Sequence, residues 1–139
     1  MDFVIDASIV AAYMLEDERS IIADSVVESL VKYTAMAPSF WSLEISNILL
    51  SAEKRRRITS AERSKLLHRV QDLEIIEEVY SQERIFSRVL PIAEAHGLSA
   101  YDAFYLEQAF RLSLPLATLD KKLQVAAKSQ GVLIFEGEF

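Results

Sequence analysis

Apolar residues along this chain follow two different spacings, and each predicts a type of secondary structure. Short runs rich in β-branched residues predict strands, and longer stretches with apolar residues three or four positions apart predict helices. The predicted strands are Asp2–Ile5, Thr34–Ala37, Ile75–Val79, Leu116–Leu119 and Val132–Phe135. The predicted helices are Ala7–Leu15, Ser20–Tyr33, Ser39–Arg55, Thr59–Leu73, Ser81–His96, Ser99–Leu112 and Lys121–Gln130.

The alternation of these elements predicts the fold class. Strands separated by helices form a parallel sheet whose two faces are covered by those helices. We therefore expect an α/β fold, a three-layer α/β/α domain with a short, mainly parallel sheet of about five strands. The length of 139 residues and the absence of a linker or repeat predict a single domain over residues 1–139.

Composition excludes several kinds of site. The chain has no cysteine, which excludes a disulfide scaffold, a zinc–thiolate site and a cysteine nucleophile, and fits a reducing compartment. The N-terminal residues lack the basic and long apolar regions of a signal peptide. No apolar run approaches the ~20 residues that span a membrane. We expect a cytoplasmic protein that does not enter a membrane.

Charge is distributed unevenly. The net charge is −6, which argues mildly against a nucleic-acid partner. The segment 54–69 nevertheless holds seven basic residues and one acid, a net charge of +6, so the rest of the chain carries −12. This segment contains the run Lys54, Arg55, Arg56 and Arg57. Either a solvated helix face or a contact with nucleic acid explains such a segment.

Two aspartates follow predicted strands. Asp6 stands at the end of the first strand, and Asp120 directly follows Leu116–Leu119. In open α/β sheets the ligand site lies at the carboxyl ends of the strands, so both acids are predicted at one edge of the sheet. Each also precedes a predicted helix, where Asp is a favoured N-cap, and capping explains either residue alone equally well. Their joint placement favours a site.

Two further acids lie in predicted helices. Glu44 is three residues after Trp41 and four before Ile48, which places it on the apolar side of its helix. A carboxylate there is rare unless it is paired or bound to a metal, although the edge of the apolar stripe is an alternative. Asp102 lies in Ser99-Ala100-Tyr101-Asp102, where it either serves the helix start or points inward with its apolar neighbours.

No lysine or arginine adjoins Asp6, Glu44 or Asp102 in the sequence, and Lys121 follows Asp120. Converging carboxylates cannot all stay ionised without a cation, and Mg²⁺ takes oxygen ligands. Ser8 and Thr118 each lie two residues from an aspartate, where a hydroxyl can orient a carboxylate or a metal-bound water. Ordinary helix-start and strand chemistry is the alternative for these two hydroxyls.

Four segments carry a resemblance to a known family. They are Val4-Ile5-Asp6-Ala7-Ser8, Leu43-Glu44-Ile45-Ser46-Asn47-Ile48-Leu49, Leu98-Ser99-Ala100-Tyr101-Asp102-Ala103 and Ala117-Thr118-Leu119-Asp120-Lys121. In this order and spacing the chain resembles PIN-domain proteins, specifically the VapC-type toxin ribonucleases of prokaryotic toxin–antitoxin pairs. The resemblance covers essentially the whole chain.

The resemblance implies a function and a set of partners. It implies an endoribonuclease that depends on Mg²⁺ or Mn²⁺, with Asp6, Glu44, Asp102 and Asp120 as metal-site acids and Ser8 and Thr118 as supporting hydroxyls. Water would attack an RNA phosphodiester and leave a 3′-hydroxyl and a 5′-phosphate. Such proteins are usually homodimers that a small DNA-binding antitoxin inhibits. The run Lys54–Arg57 would then contact RNA phosphates or an acidic stretch of the antitoxin.

Two other functions compete with this one. In a phosphoryl-transfer domain with an aspartyl nucleophile, Asp6 would form an aspartyl phosphate. A phosphatase of that kind usually has a second acid two residues later, and Ser8 occupies that position. The other alternative is a PIN-like interaction module without activity, and the complete set of four acids argues against it.

Overall fold

A short parallel sheet forms the centre of the molecule. The computed structural model describes residues 2–137. Four strands pair in the order β3-β2-β1-β4, and every pair is parallel. The strands are β1 (Phe3–Ile5), β2 (Ala35–Pro38), β3 (Ile76–Glu78) and β4 (Leu116–Ala117). The predicted α/β fold with a parallel sheet is thus confirmed.

Helices connect the strands and pack against the sheet. They are α1 (Ala7–Met14), α2 (Ile21–Glu28), α3 (Trp41–Lys54), α4 (Ser60–Asp72), α5 (Gln82–Arg84), α6 (Leu90–His96), α7 (Ala100–Leu112) and α8 (Lys121–Ser129). A capping box begins α4: the Thr59 hydroxyl accepts from the Glu62 N–H, and the Glu62 carboxylate accepts from the Thr59 N–H. This arrangement satisfies two N–H groups that a helix start leaves without a partner.

The core lies around the central strand. All three residues of β1 are fully buried, because helices cover both faces of a parallel sheet. Helix α7 packs against both β1 and β2, and it contributes the buried side chains of Tyr105 and Leu106 to the core. Within residues 2–137, no helix is long and apolar enough to cross a membrane.

The fifth predicted strand, Val132–Phe135, is wrong as an extended strand. Only Ile134 pairs with the sheet, through a single parallel bridge to Leu116. The contact consists of two hydrogen bonds: Leu116 N–H to the Leu133 carbonyl at 2.8 Å, and Phe135 N–H to the Leu116 carbonyl at 2.9 Å. Because β4 itself has only two residues, its outer edge offers too short a ladder for a longer partner.

Two predicted helices are interrupted. The helix predicted over Ser81–His96 contains a π-helical turn at Ile85–Val89, in which the Leu90 N–H donates to the Ile85 carbonyl. Pro91 has no N–H to offer the carbonyl four residues before it, so the wider turn is the local consequence of this proline. The helix predicted over Ser20–Tyr33 is α2 followed by a 3₁₀ turn at Ser29–Val31.

Candidate active site

Asp6 is a buried carboxylate at the carboxyl end of β1. Its side chain is the N-cap of α1, where it accepts from the Ser8 N–H at 2.6 Å and from the Ser8 hydroxyl at 2.5 Å. The Thr118 hydroxyl donates to its other oxygen. The residue is 4% exposed. Three donors therefore fix the orientation of this carboxylate.

Asp120 lies at the neighbouring strand end. It is the exposed N-cap of α8, and its carboxylate accepts from the Leu123 N–H at 3.0 Å. Its own N–H donates to the Thr118 hydroxyl at 3.1 Å, and the Leu119 N–H donates to the Ser8 hydroxyl at 3.0 Å. Since β1 and β4 are adjacent and parallel, Asp6 and Asp120 lie at the same edge of the sheet, as predicted. Both acids also cap helices, so the two interpretations are compatible.

Glu44 lies in the first turn of α3, just after β2 ends. It is half-buried, and its carboxylate accepts from the Tyr105 hydroxyl at 2.5 Å. Tyr105 lies on α7 and is 2% exposed, so a buried side chain holds Glu44 from the neighbouring helix. This contact is how the structure accommodates a carboxylate on the apolar side of a helix.

Asp102 lies in the first turn of α7 and is also half-buried. Ser99 caps the helix, and its hydroxyl accepts from the Asp102 N–H at 3.1 Å. Asp102 and Glu44 line one open cleft of about 400 Å³, which we call the α3–α7 cleft. The residues that line it are Phe40, Leu43, Glu44, Asn47, Ser99, Tyr101 and Asp102.

The four carboxylates influence one another electrostatically. Burial raises the pKa of Asp6 to about 6, against the hydrogen bonds from Ser8 and Thr118, and the charge of Asp102 adds to the rise. Burial also raises the pKa of Glu44, with a further contribution from Asp102. The pKa of Asp102 is raised by burial and then by the charge of Asp120. Asp102 is therefore the carboxylate through which the four acids are coupled.

Little positive charge offsets these acids. Within the described part of the chain, none of the ion pairs involves any of the four, and Lys122 is the cation that lowers the pKa of Asp102. Among residues 2–137, no three acidic, histidine or cysteine side chains already converge closely enough to hold a metal ion. The donors are nevertheless all carboxylate oxygens, and none of them forms an ion pair within the described residues. This is the ligand chemistry that Mg²⁺ or Mn²⁺ prefers, so the residues fit such an ion chemically.

The basic run lies away from the cleft. It follows Glu44 by ten or more residues along α3, a rise of ~15 Å. Arg57 is paired with Asp17 at 2.7 Å and with Glu18 at 2.6 Å, which fastens the α3–α4 connection to the 3₁₀ turn after α1. Lys54, Arg55 and Arg56 are exposed. The structure does not bring this run together with the four acids.

The structure adds residues that the sequence pattern did not single out for the site. Tyr105 is the hydrogen-bond partner of Glu44. Its position three residues after Asp102, on the same face of α7, was the available signal. Leu43 and Asn47, which lie beside Glu44 in sequence, line the α3–α7 cleft.

Comparison with known proteins gives consistent matches. A sequence model of the PIN domain matches residues 3–129. Ribonuclease VapC3 from Pyrobaculum aerophilum is 28% identical over 123 residues, which are 88% of this chain and 92% of that protein. The crystal structure of PAE2754, also from Pyrobaculum aerophilum, has a TM-score of 0.69 and 25% identity, covering 98% of this chain and 93% of that one.

Two more distant structures share the fold. FitAcB from Neisseria gonorrhoeae has a TM-score of 0.61 at 16% identity, covering 97% of this chain and 96% of that chain. SSO1118, a PilT N-terminus domain protein from Sulfolobus solfataricus, has a TM-score of 0.51 at 18% identity, covering 97% and 86%. At these identities the likeness concerns the fold alone.

Proposed function

This chain belongs to the PIN-domain family, and we propose that it is a metal-dependent endoribonuclease that acts as the toxin of a type II toxin–antitoxin system. The observation that carries the proposal is the arrangement of four acids: Asp6 and Asp120 follow two adjacent parallel strands, and Glu44 and Asp102 line one cleft. The charge of Asp102 raises the pKa of Asp6 and of Glu44, which links the two pairs. The similarity to a relative named Ribonuclease VapC3 supports RNA as the substrate.

The four acids would hold Mg²⁺ or Mn²⁺. When bound, such an ion supplies a water of lowered pKa and offsets negative charge on the phosphodiester. The chain's own residues fix the ligands: Ser8 and Thr118 hold the Asp6 carboxylate, and the Tyr105 hydroxyl holds Glu44. These contacts keep carboxylate oxygens in place before the substrate arrives, which lowers the cost of reorganisation during the reaction.

The raised pKa values make the ionisation of these carboxylates depend on whether a cation is bound. Without one, burial and mutual repulsion favour protonation of Asp6, Glu44 and Asp102. A divalent cation favours the ionised forms and competes with protons for the same oxygens. Activity at a fixed concentration of metal is therefore expected to fall as the pH drops towards 6.

The buried position of Asp6 supports this proposal over an aspartyl-phosphate mechanism. A nucleophilic carboxylate must place an oxygen in line with the phosphorus atom, and the buried Asp6 has both oxygens held by Ser8 and Thr118. A small cation needs only a remaining lone pair, and the oxygen that accepts from Thr118 alone retains one. Hydrolysis by water needs no covalent bond to the enzyme. The coupled acids likewise support an active enzyme over a PIN-like module without activity, since an interaction module gains nothing from the cost of half-buried carboxylates.

The proposal includes partners and a location. An antitoxin protein would inhibit the enzyme, and the chain would act as a homodimer in the cytoplasm, where RNA is the substrate. The run Lys54–Arg57 would contact RNA phosphates or acidic residues of the antitoxin. Lys54, Arg55 and Arg56 are the members whose charge is exposed for such a contact, whereas Arg57 is committed to Asp17 and Glu18.

A cleavage assay tests the proposal. The purified chain is incubated with total cellular RNA and Mg²⁺ or Mn²⁺, with EDTA, and as Asp120→Asn. Cleavage is expected with metal, and it is expected to disappear with EDTA and in the variant. Asp72→Asn, which alters an exposed carboxylate in the last turn of α4, is the matched control and should cleave like the parent. Cleavage that persists in EDTA, or in Asp120→Asn, would contradict the metal mechanism.

A further inference from the structure

The α3–α7 cleft combines carboxylates with exposed apolar side chains. Leu43 is 66% exposed and Tyr101 is 62% exposed, and each directly precedes one of the acids, Glu44 and Asp102. Side chains this exposed keep most of their contact with water on folding and therefore contribute little to stability. Two of them beside carboxylates in one cleft indicate a surface that contacts a ligand with both an apolar face and a charged group.

Tyr101 is held in place although it is exposed. Its ring meets the Phe40 ring at 83°, with the centroids 5.2 Å apart. Phe40 packs in the same way against Phe104 and Tyr105, at centroid distances of 5.2 and 5.5 Å. Two other aromatic rings thus anchor Phe40, which in turn supports Tyr101 on one side. A ring supported in this way loses little conformational entropy when a ligand stacks on it.

The cleft cannot bind RNA through phosphate attraction alone. No lysine or arginine lines it, its charged residues are Glu44 and Asp102, and the chain carries a net charge of −6. Apart from the metal ion that the four acids would hold, the cleft offers a nucleic acid no positive charge. Affinity must therefore come in part from contacts that do not depend on charge, and a nucleobase supplies such a contact through its flat apolar face. Asn47 adds amide donors and an acceptor at the same cleft, of the kind that pair with base edges.

We propose that the α3–α7 cleft is a nucleobase subsite in which Tyr101 stacks an unpaired base of single-stranded RNA, next to the phosphodiester at the four acids. This inference rests on the proposed function and makes its substrate more specific. The base must be unpaired, because the faces of a base within a duplex are already stacked and its edge is paired. Leu43 supplies the other exposed apolar side chain of the cleft.

The test measures RNA binding separately from cleavage. All variants are made in an Asp6→Asn background, so that the RNA stays intact, and fluorescence anisotropy follows a labelled 12-nucleotide single strand of mixed sequence. The same strand annealed to its complement is the second probe. Tyr101→Ala is expected to weaken binding of the single strand roughly 5- to 150-fold, the range for losing one stacked base, and to leave binding of the duplex unchanged. This loss should have nearly the same size at low and high salt, because stacking does not release counter-ions.

Two further variants act as controls. Tyr101→Phe keeps the ring and should retain binding of the single strand. Phe110→Ala removes an aromatic ring that is 52% exposed on the same helix, nine residues or ~14 Å further along, and should change nothing. Thermal melting of each variant verifies the fold. Unchanged binding in Tyr101→Ala, an equal loss for single strand and duplex, or an equal loss in Tyr101→Phe would overturn the proposal.

This experiment also separates the inference from the proposed function. If the parent chain cleaves RNA with metal but Tyr101→Ala binds and cleaves normally, the nuclease proposal stands and the base subsite is wrong. If the chain cleaves no RNA under any condition, but Tyr101→Ala alone loses binding of single-stranded RNA, the cleft is a base subsite and the nuclease proposal is wrong.

Discussion

The buried carboxylate of Asp6 predicts how the stability of the metal-free protein depends on pH. Burial raises its pKa from 3.8 to about 6. Between these values the folded protein holds a proton that the unfolded chain releases, so the free energy of unfolding falls as the pH rises through this window. A difference of about 2 pKa units corresponds to about 3 kcal/mol, fully expressed above pH 7. The side chain of Asp6→Asn does not titrate, so this variant should not lose stability in this way as the pH rises.

The assay is urea denaturation in EDTA at several pH values between 4 and 8. The free energy of unfolding of Asp6→Asn minus that of the parent should increase by up to about 3 kcal/mol from pH 4 to pH 7.5. Because only the change with pH is compared, any constant effect of the substitution on the α1 cap cancels. Asp72→Asn controls for the loss of one negative charge at an exposed position.

Metal should reverse the effect. Mn²⁺ binds the ionised carboxylates, so a saturating concentration should stabilise the parent and stabilise Asp6→Asn much less. A difference between variant and parent that stays constant from pH 4 to pH 8 would refute the argument, since Asp6 would then titrate alike in the folded and unfolded chain. Equal stabilisation of both proteins by Mn²⁺ would remove Asp6 from the metal site.

Two smaller changes test neighbouring contacts. Tyr105→Phe removes the hydroxyl whose hydrogen bond lowers the pKa of Glu44. The acid limb of the pH profile of kcat/KM should therefore move to higher pH. An unmoved limb would mean that Glu44 does not act in its ionised form. Thr59→Ala removes the N-cap of α4 and should lower the free energy of unfolding, measured by urea denaturation, by about 1 kcal/mol. Thr59→Ser keeps a capping hydroxyl and should retain most of the stability. Equal losses in both variants would contradict a capping role.

The parts of the site that depend on local sequence were the predictable ones. An aspartate that follows a buried apolar run has few possible positions in a parallel α/β fold, which is why Asp6 and Asp120 were correctly expected at one sheet edge. The capping box at Thr59 and Glu62 was predictable for the same reason, since its partners are three residues apart.

Contacts between distant residues were not predictable in this way. Glu44 and Tyr105 are 61 positions apart, and their hydrogen bond exists only because α3 and α7 pack side by side. Arg57 belongs to a basic run for which the sequence left a solvated face and a contact surface open, and its pairing with Asp17 depends on where the turn after α1 lies. The fifth strand failed because the apolar run 132–135 indicates burial but not how many residues of β4 are available for pairing.

The adjacency of β1 and β4 has a consequence for the newly synthesised protein. The Asp6 carboxylate accepts a hydrogen bond from Thr118, which lies 112 positions later in the chain, and Asp120 comes shortly after Thr118. A chain still emerging from the ribosome holds Asp6 and Glu44 long before it holds their partners from the last quarter of the sequence. A product of translation that ends before Thr118 therefore lacks part of the proposed catalytic centre. For an enzyme proposed to destroy the RNA of its own cell, this order of assembly would keep such products inactive.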